Sequence, residues 1–449
     1  MTLTAELTSR GAGFAFGVLL FIITTLSLIR TVVVPRNLPS LVTNLVIGTV
    51  VGTSRLFAKV GRTYMRRDAA LAWAGPLIII ALLITWLIGY IFAYGFLIYG
   101  RSGRPLGNSI LESGSSLLTL GIASDMSSSD AILLEFFAAT TGPVVIALMI
   151  GYLPTIYQTF IEREVRVTLM TTDAGEPSWG PELLSRICLT KRIADLPTYL
   201  GDWASWATRL RVTHTTYPML MYVRSGSCTR HFLVSLLTVM DASALMIALN
   251  TSLPRTPGFR TLLDGSESIQ TLYVFFGAKK PRLYYLPLRS LWRRKVASPN
   301  DVSAEQLIVP ARDANIAAVH GAAAADVTSA LAVNGYKSFI NAEYMTSTLT
   351  RAEFDYAVDI LRRSDFPIEA EVDEAWERFR SIRATYEYPL YALMRRLDAT
   401  PAPWTGPRNT PTPVMWPTLA TDILEQNKRA NAKSLDASSN PPAPDAPHQ

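Results

Sequence analysis

Residues 115–125 read Ser115-Ser116-Leu117-Leu118-Thr119-Leu120-Gly121-Ile122-Ala123-Ser124-Asp125, with a hydroxyl residue two positions before a glycine. Extended backbone over Thr119, Leu120, Gly121, Ile122 and Ala123 can present successive carbonyl oxygens, and Thr119 adds a hydroxyl. A file of such oxygens replaces the water around a cation, so the chemistry expected is ion coordination and release rather than bond making. Just upstream, Ser109-Ile110-Leu111-Glu112 has the S-x-x-E spacing of a capping box, which predicts a short helix from Ser109 to about Leu118. A helix ending at Thr119 aims its negative dipole end beyond that residue, which favours a cation there. Asp125 and Glu135 follow as candidate acids of an outer mouth that would concentrate cations. For Glu135 a plain helix N-terminal acid, stabilised by the macrodipole, is an equal alternative.

The elements that would hold this loop are long apolar runs. A helix rises about 1.5 Å per residue and needs about 20 apolar residues to cross a ~30 Å hydrocarbon core. Residues 69–99 and 136–161 carry no charge, and Glu135 sits at the outer end of the second run. A third run, 11–29 and on past Arg30 to Val34, is also long enough and lacks a cleavage-site pattern, so it reads as a retained helix. Arg30, Arg36, Arg55, Lys59, Arg62, Arg66 and Arg67 cluster between the first and second runs, with Asp68 the one acid among them. That bias puts this loop in the cytoplasm, the Thr119 loop outside, and everything after about Glu162 back in the cytoplasm. Within the basic loop, 41–51 is apolar but short for a span; it reads as a helix in the membrane interface or one packed on the bundle's side.

The order helix, short helix, Thr-x-Gly loop, helix over residues 69–164 resembles the pore-loop cation channel superfamily, in particular bacterial potassium channels. The resemblance implies a filter in which Thr119 supplies a hydroxyl and a carbonyl, and Leu120, Gly121 and Ile122 supply carbonyls. It implies a homotetramer, since one loop is a quarter of a ring, and passive conduction of monovalent cations, potassium foremost. Three positions depart from the family's pattern: Ile122 stands where an aromatic is usual, Ala123 where a second glycine is usual, and Ser124 intervenes before Asp125. A left-handed backbone costs about 1–2 kcal/mol more at alanine than at glycine, which leaves a looser cation filter open. The inner helix carries Gly142-Pro143 and Gly151-Tyr152-Leu153-Pro154, candidate gating hinges, against the alternative that Gly and Pro here only aid helix packing.

Beyond residue 164 the pattern is helical and soluble in character. Residues 181–190 and 197–213 read as amphipathic helices, Trp203 and Trp206 sharing one face as core residues, and 351–363 and 368–397 as further helices, the last bent at Pro389. Phe232–Leu249 is apolar but short, with Asp241 near its middle, and reads as a buried core helix instead of a span. No local spacing ties His214, His231 and Asp241 into a metal or acid–base set, and each histidine reads as a satisfied core or surface residue. Residues 281–295 are basic and aromatic, a surface face or a segment against anionic headgroups; 317–333 is alanine-rich and helical in pattern. From 400 to 449 the Pro-, Thr-, Ser- and Asn-rich composition predicts a disordered tail.

Net charge of +6, pI near 9.2 and mean hydropathy of +0.21 suit a protein beside an anionic leaflet and call for no nucleic-acid partner. The spans hold no HExxH, paired aspartates or Ser-His set, and no P-loop or dinucleotide fingerprint follows them, so neither an enzyme nor a cofactor nor a bound metal is expected. The expectation is an all-α membrane protein: three transmembrane helices and a re-entrant pore helix and filter loop, a mainly helical cytoplasmic domain, and a disordered tail. Its divisions are 1–68, 69–164, 165–399 and 400–449, in a multi-pass protein of the cell membrane. The rival class is a non-conducting membrane-anchored signalling or scaffold protein with a degenerate filter, which Ala123 would suit.

Overall fold

The computed structural model describes residues 2–34, 40–102, 104–121, 129–277 and 347–406. Among these the chain is all helical, without a strand, and five helices are long and apolar enough to cross a membrane. They lie at Thr8–Val33, Leu41–Ala58, Tyr64–Ser102, Ile132–Ala174 and Phe232–Leu249, compatible with a multi-pass membrane protein. The chain forms two compact units, one of Met1–Arg163 with Val212–Arg224 and the other of Glu164–Arg211 with Ser225–Gln449.

The first unit is built on α4 (Ala74–Ser102). Ile78, Leu82, Trp86, Tyr90, Tyr94 and Ile98 recur every fourth residue and are all buried, whereas Ile80, Ile84, Ile88 and Phe92 recur at the same spacing and are exposed. A helix apolar on both faces has no polar side to give to water, the pattern of a helix that meets protein on one side and lipid on the other. Helix α1 (Thr2–Leu28) runs antiparallel to α4 through small residues. Gly17 sits on the Ala93 carbonyl and Leu97, and Gly89 on Thr24, so a Cβ at either would collide. Where α1 meets α2 (Leu41–Ala58), Ser27, Ser40, Thr43 and Thr31 form a hydroxyl cluster, and the Trp86 indole donates to Ser27 Oγ at 3.1 Å. Helix α2 continues past the expected end at residue 51 to Ala58, with Thr53 Oγ1 donating back to the Thr49 carbonyl at 3.0 Å. It lays Thr43, Ile47, Val51, Ser54 and Ala58 on the unit, which favours side packing over a wholly interfacial position.

Helix α3 (Tyr64–Ala72) precedes α4, and Asp68 on it takes Arg224 Nη1 at 2.5 Å. Helix α5 (Leu106–Leu117) is short, and α6 (Ser129–Ala174) is one continuous helix that includes Pro143 and Pro154. At Arg163, α6 meets the excursion 212–224: the buried guanidinium donates to the Leu220 and Val223 carbonyls at 2.9 and 2.8 Å and contacts His214 Nε2 at 3.2 Å. His214 therefore serves a structural clamp, as its burial at 1 % exposure requires.

In the second unit all 18 residues of α9 (Phe232–Leu249) are buried, covered by α7 (Gly180–Leu189), α10 (Arg255–Leu272) and α12 (Val372–Leu397). Its charge at Asp241 is matched there: Arg383 Nε at 3.0 Å and Tyr386 Oη at 2.7 Å both donate to Asp241 Oδ1. A helix so enclosed, with an ion pair at its centre, behaves as a core helix. His231 is the N-cap of α9, its Nδ1 accepting the Leu233 amide at 3.2 Å. Helix α8 (Leu196–Thr216) buries Trp203 and Trp206 in edge-on contact, as expected. Helix α11 (Arg351–Arg363) opens with a capping box at Thr350 and Glu353, and α12 passes through Pro389. The start of the expected tail is a correction. Thr400, Ala402, Trp404 and Thr405 are buried, because the Trp404 ring packs on Phe379 and Trp179 while its carbonyl accepts Arg383. Residues 407–449, like the expected segments at 281–295 and 317–333, lie outside the described residues.

Candidate functional site

The loop that could coordinate an ion hangs from the C-terminus of α5, so the seating of that helix decides the site. Its N-cap is Pro105, and the helix starts at Leu106, one turn ahead of the expected Ser109. Ser109 and Glu112 consequently make no capping box: Ser109 Oγ donates to the Pro105 carbonyl at 3.3 Å, and Glu112 Oε1 accepts Arg104 Nη1 at 2.7 Å. Proline supplied the earlier start, since it needs no amide partner and fixes the backbone ahead of a helix. Ser113 Oγ reaches across to the Ile91 carbonyl of α4 at 2.8 Å, and Gly95 of α4 lies under Ile110. Leu117 is fully buried.

The helix then ends in a double backbone bond. The Leu120 amide donates to the Ser115 carbonyl at 2.8 Å and the Thr119 amide to the Ser116 carbonyl at 3.0 Å, with Thr119 left-handed at φ 54°. This is the Schellman arrangement, usually closed by glycine; here a β-branched threonine bears the left-handed turn. Gly121 is left-handed again at φ 67°, and Leu118 to Gly121 are exposed. Thr119, Leu120 and Gly121 are thus held at the exposed end of a half-buried helix. Ile122, Ala123 and Asp125 lie outside the described residues.

Helix α6 meets this end at Gly142. A Cβ there would run into the Leu117 carbonyl, so the glycine is demanded by the approach of α5's last turn. Tyr94 Oη, on α4, is 2.8 Å from Thr141 Oγ1 beside it, and the three helices are tied at one level. Gly142 with Pro143 therefore stands at the loop, whereas Gly151 and Pro154 lie about 13 and about 18 Å further along the helix at ~1.5 Å per residue. Gly151 has open space around it. Glu135 is half-buried on the second turn of α6. The sequence offered one signal for Glu112 and Arg104 that the capping-box reading hid, a carboxylate amid buried small residues, which requires a cation nearby.

Arg383 is fully buried and bonds Asp241, Glu387, Tyr391 and the Trp404 carbonyl at 3.0, 3.1, 3.1 and 2.6 Å. Burial works against its charge, but Asp241, Tyr391 and Glu387 around it hold the guanidinium protonated well above the ordinary range. Cys188 is pushed up to about 12 by burial and by Asp365, so it is no thiolate nucleophile. No family model, no curated protein and no solved structure matches the chain.

Proposed function

We propose that the chain is one subunit of a homotetrameric cation channel of pore-loop type, with potassium as the expected ion. In this reading α1, α4 and α6 span the membrane and α5 with its loop is the re-entrant segment on the outer side. The second unit then lies in the cytoplasm with the basic residues between α1 and α4, and the tail follows it. The observation that carries the reading is the end of α5. A short helix, seated between two apolar helices by Ser113, Ile110 and Leu117, delivers the exposed residues Thr119, Leu120 and Gly121 with left-handed turns at Thr119 and Gly121. Thr119 would complete the innermost ion site with its hydroxyl; Leu120, Gly121, Ile122 and Ala123 would continue the file of oxygens. The dipole of α5 adds negative potential at the same place. The outward-facing apolar residues Phe136, Phe137, Val144, Ile150 and Leu153 of α6 give lipid or neighbouring subunits a surface to meet. Gly151 and Pro154 are the better-placed gate, since Gly142 is occupied by packing against Leu117.

One observation favours the non-conducting scaffold as a second reading: the Ser115 and Ser116 carbonyls at the end of α5 are already engaged by the Leu120 and Thr119 amides. Reconstitution in a planar bilayer under a potassium/sodium gradient separates the two, with Ala123→Gly measured alongside. Reversal near the potassium potential is expected for the parent or, at least, for the glycine variant, whose backbone accepts the left-handed turn without strain. Silence from both discards the channel.

A further inference from the structure

Glu176 lies on the turn between α6 and α7, and the loop Ser225-Gly226-Ser227-Cys228-Thr229-Arg230 closes on its carboxylate. Ser227 Oγ donates to Glu176 Oε1 at 2.9 Å, and the Thr229 hydroxyl donates to the same oxygen. Arg230 sends Nε and Nη2 to Oε2 at 3.2 and 3.1 Å, while its Nη1 reaches Thr168 Oγ1 of α6 at 3.3 Å. The Cys228 carbonyl accepts Thr400 Oγ1, which pins the loop, and the loop leads directly into the N-terminus of α9. Burial works against a charge on Glu176, yet hydrogen bonds from Thr229, Arg230 and Ser227 hold its carboxyl below the ordinary value. Hydroxyls and a guanidinium gathered ahead of a helix N-terminus are a donor set for an oxyanion. Here the chain's own carboxylate fills it.

The carboxylate fits that set imperfectly. A guanidinium fork matches two oxygens of one anion side by side. Both fork nitrogens converge instead on Oε2, because Oε1 is already given to the two hydroxyls. Their distances of 3.2 and 3.1 Å exceed the range of about 2.7–2.9 Å usual for charge-assisted bonds. A phosphate monoester brings three strong acceptor oxygens and more negative charge, enough for one oxygen on the hydroxyls and one on each arm of the fork. The way in is open: the Arg230 and Glu176 side chains are 28 % and 29 % exposed, and Gly226 and Thr229 lie at the surface. Glu176 belongs to the turn 175–179 and not to either helix, so its side chain can swing out without unwinding one.

We propose that Ser227, Thr229 and Arg230 form a binding site for a phosphate monoester, and that Glu176 is the chain's own occupant, displaced when the ligand enters. The site stands apart from the channel reading and is tested without ion flow. Titration calorimetry with inorganic phosphate is run on the detergent-purified full chain, on Glu176→Ala, and on Glu176→Ala combined with Arg230→Ala, with chloride at equal ionic strength as the control. Glu176→Ala is expected to bind about tenfold or more tightly than the parent, since a site filled by its own side chain has its affinity reduced by the fraction left open. Adding Arg230→Ala should abolish that binding. No binding to Glu176→Ala at millimolar phosphate, equal affinity in parent and Glu176→Ala, or binding indifferent to Arg230→Ala overturns the proposal. Should Glu176→Ala not fold, thermal unfolding of the parent and of Thr229→Ala, changed at an exposed position, decides. A midpoint raised by phosphate in the parent but not in Thr229→Ala supports the site, and an equal rise in both rejects it. Glycerol phosphate then separates the sources, titrated into Glu176→Ala in nanodiscs of phosphatidylcholine with and without phosphatidic acid. Binding weakened by phosphatidic acid identifies a lipid headgroup, unchanged binding a soluble phosphate ester, and no binding in either disc rejects the monoester.

Discussion

Thr119 bears a backbone conformation that its side chain opposes. A left-handed turn costs about 1–2 kcal/mol at a residue with a Cβ, so Thr119→Gly is expected to stabilise the chain by roughly 1 kcal/mol. The same change removes the hydroxyl offered to the innermost ion. A rise in unfolding midpoint together with altered conductance would separate strain from ligand in one variant. Gly142 gives the opposite sign: Gly142→Ala forces a methyl group against the Leu117 carbonyl and should cost about 1–3 kcal/mol, read by thermal unfolding in detergent. Glu369 responds to acid. It accepts the Thr251 and Ser252 amides at 2.9 and 3.0 Å and the Asn250 Nδ2 at 3.1 Å. Hydrogen bonds from Ser252 and Thr251 pull its carboxyl down from 4.5 to about 2. Its folded-state value is the lower one, so its contribution is complete above the unfolded value and is lost as pH falls from 4.5 to about 2. The acid limb of an unfolding profile should flatten over that window in Glu369→Gln.

Helix-forming segments were legible wherever one face alone is apolar or a chain of apolar residues is long. Residues 351–363 have Phe354, Ala357, Ile360 and Leu361 at helical spacing and form α11 over those same positions. The apolar runs around residues 69–99 and 136–161 form α4 and α6. What escaped the sequence is set by partners distant along the chain. The S-x-x-E pattern at Ser109 is spatially a mid-helix serine and a carboxylate answering Arg104, because Pro105 starts the helix earlier. Gly142 looked like a hinge, yet its reason is a carbonyl 25 positions upstream in sequence. Trp404 sits in a stretch whose composition predicts disorder, but Arg383 needs its carbonyl. That last dependence is testable at the level of the packed elements. Arg383→Ala leaves Asp241 and Glu387 buried without a cation and should cost about 3–5 kcal/mol, measured as chemical unfolding followed by helical circular dichroism.

Considered whole, the chain pairs a unit whose helices show apolar residues outward with a unit whose central helix shows none. The helix that carries Ile80, Ile84, Ile88 and Phe92 and the helix Phe232–Leu249 are both apolar enough to cross a membrane, and they differ in burial, the first showing an exposed stripe and the second none. The clamp at Arg163 has a further meaning for how the molecule is made. Residues 212–224 belong with α3, α4 and α6 although 164–211 and 225 onward do not, so the polypeptide passes from one unit to the other three times. No single cut can therefore divide them. A chain stopped at Glu164 would keep α1 to α5 and most of α6 but lose the carbonyls of Leu220 and Val223, His214 and the Arg224 partner of Asp68. During synthesis the Arg163 guanidinium must accordingly wait for the Leu220 and Val223 carbonyls until about sixty further residues have left the ribosome.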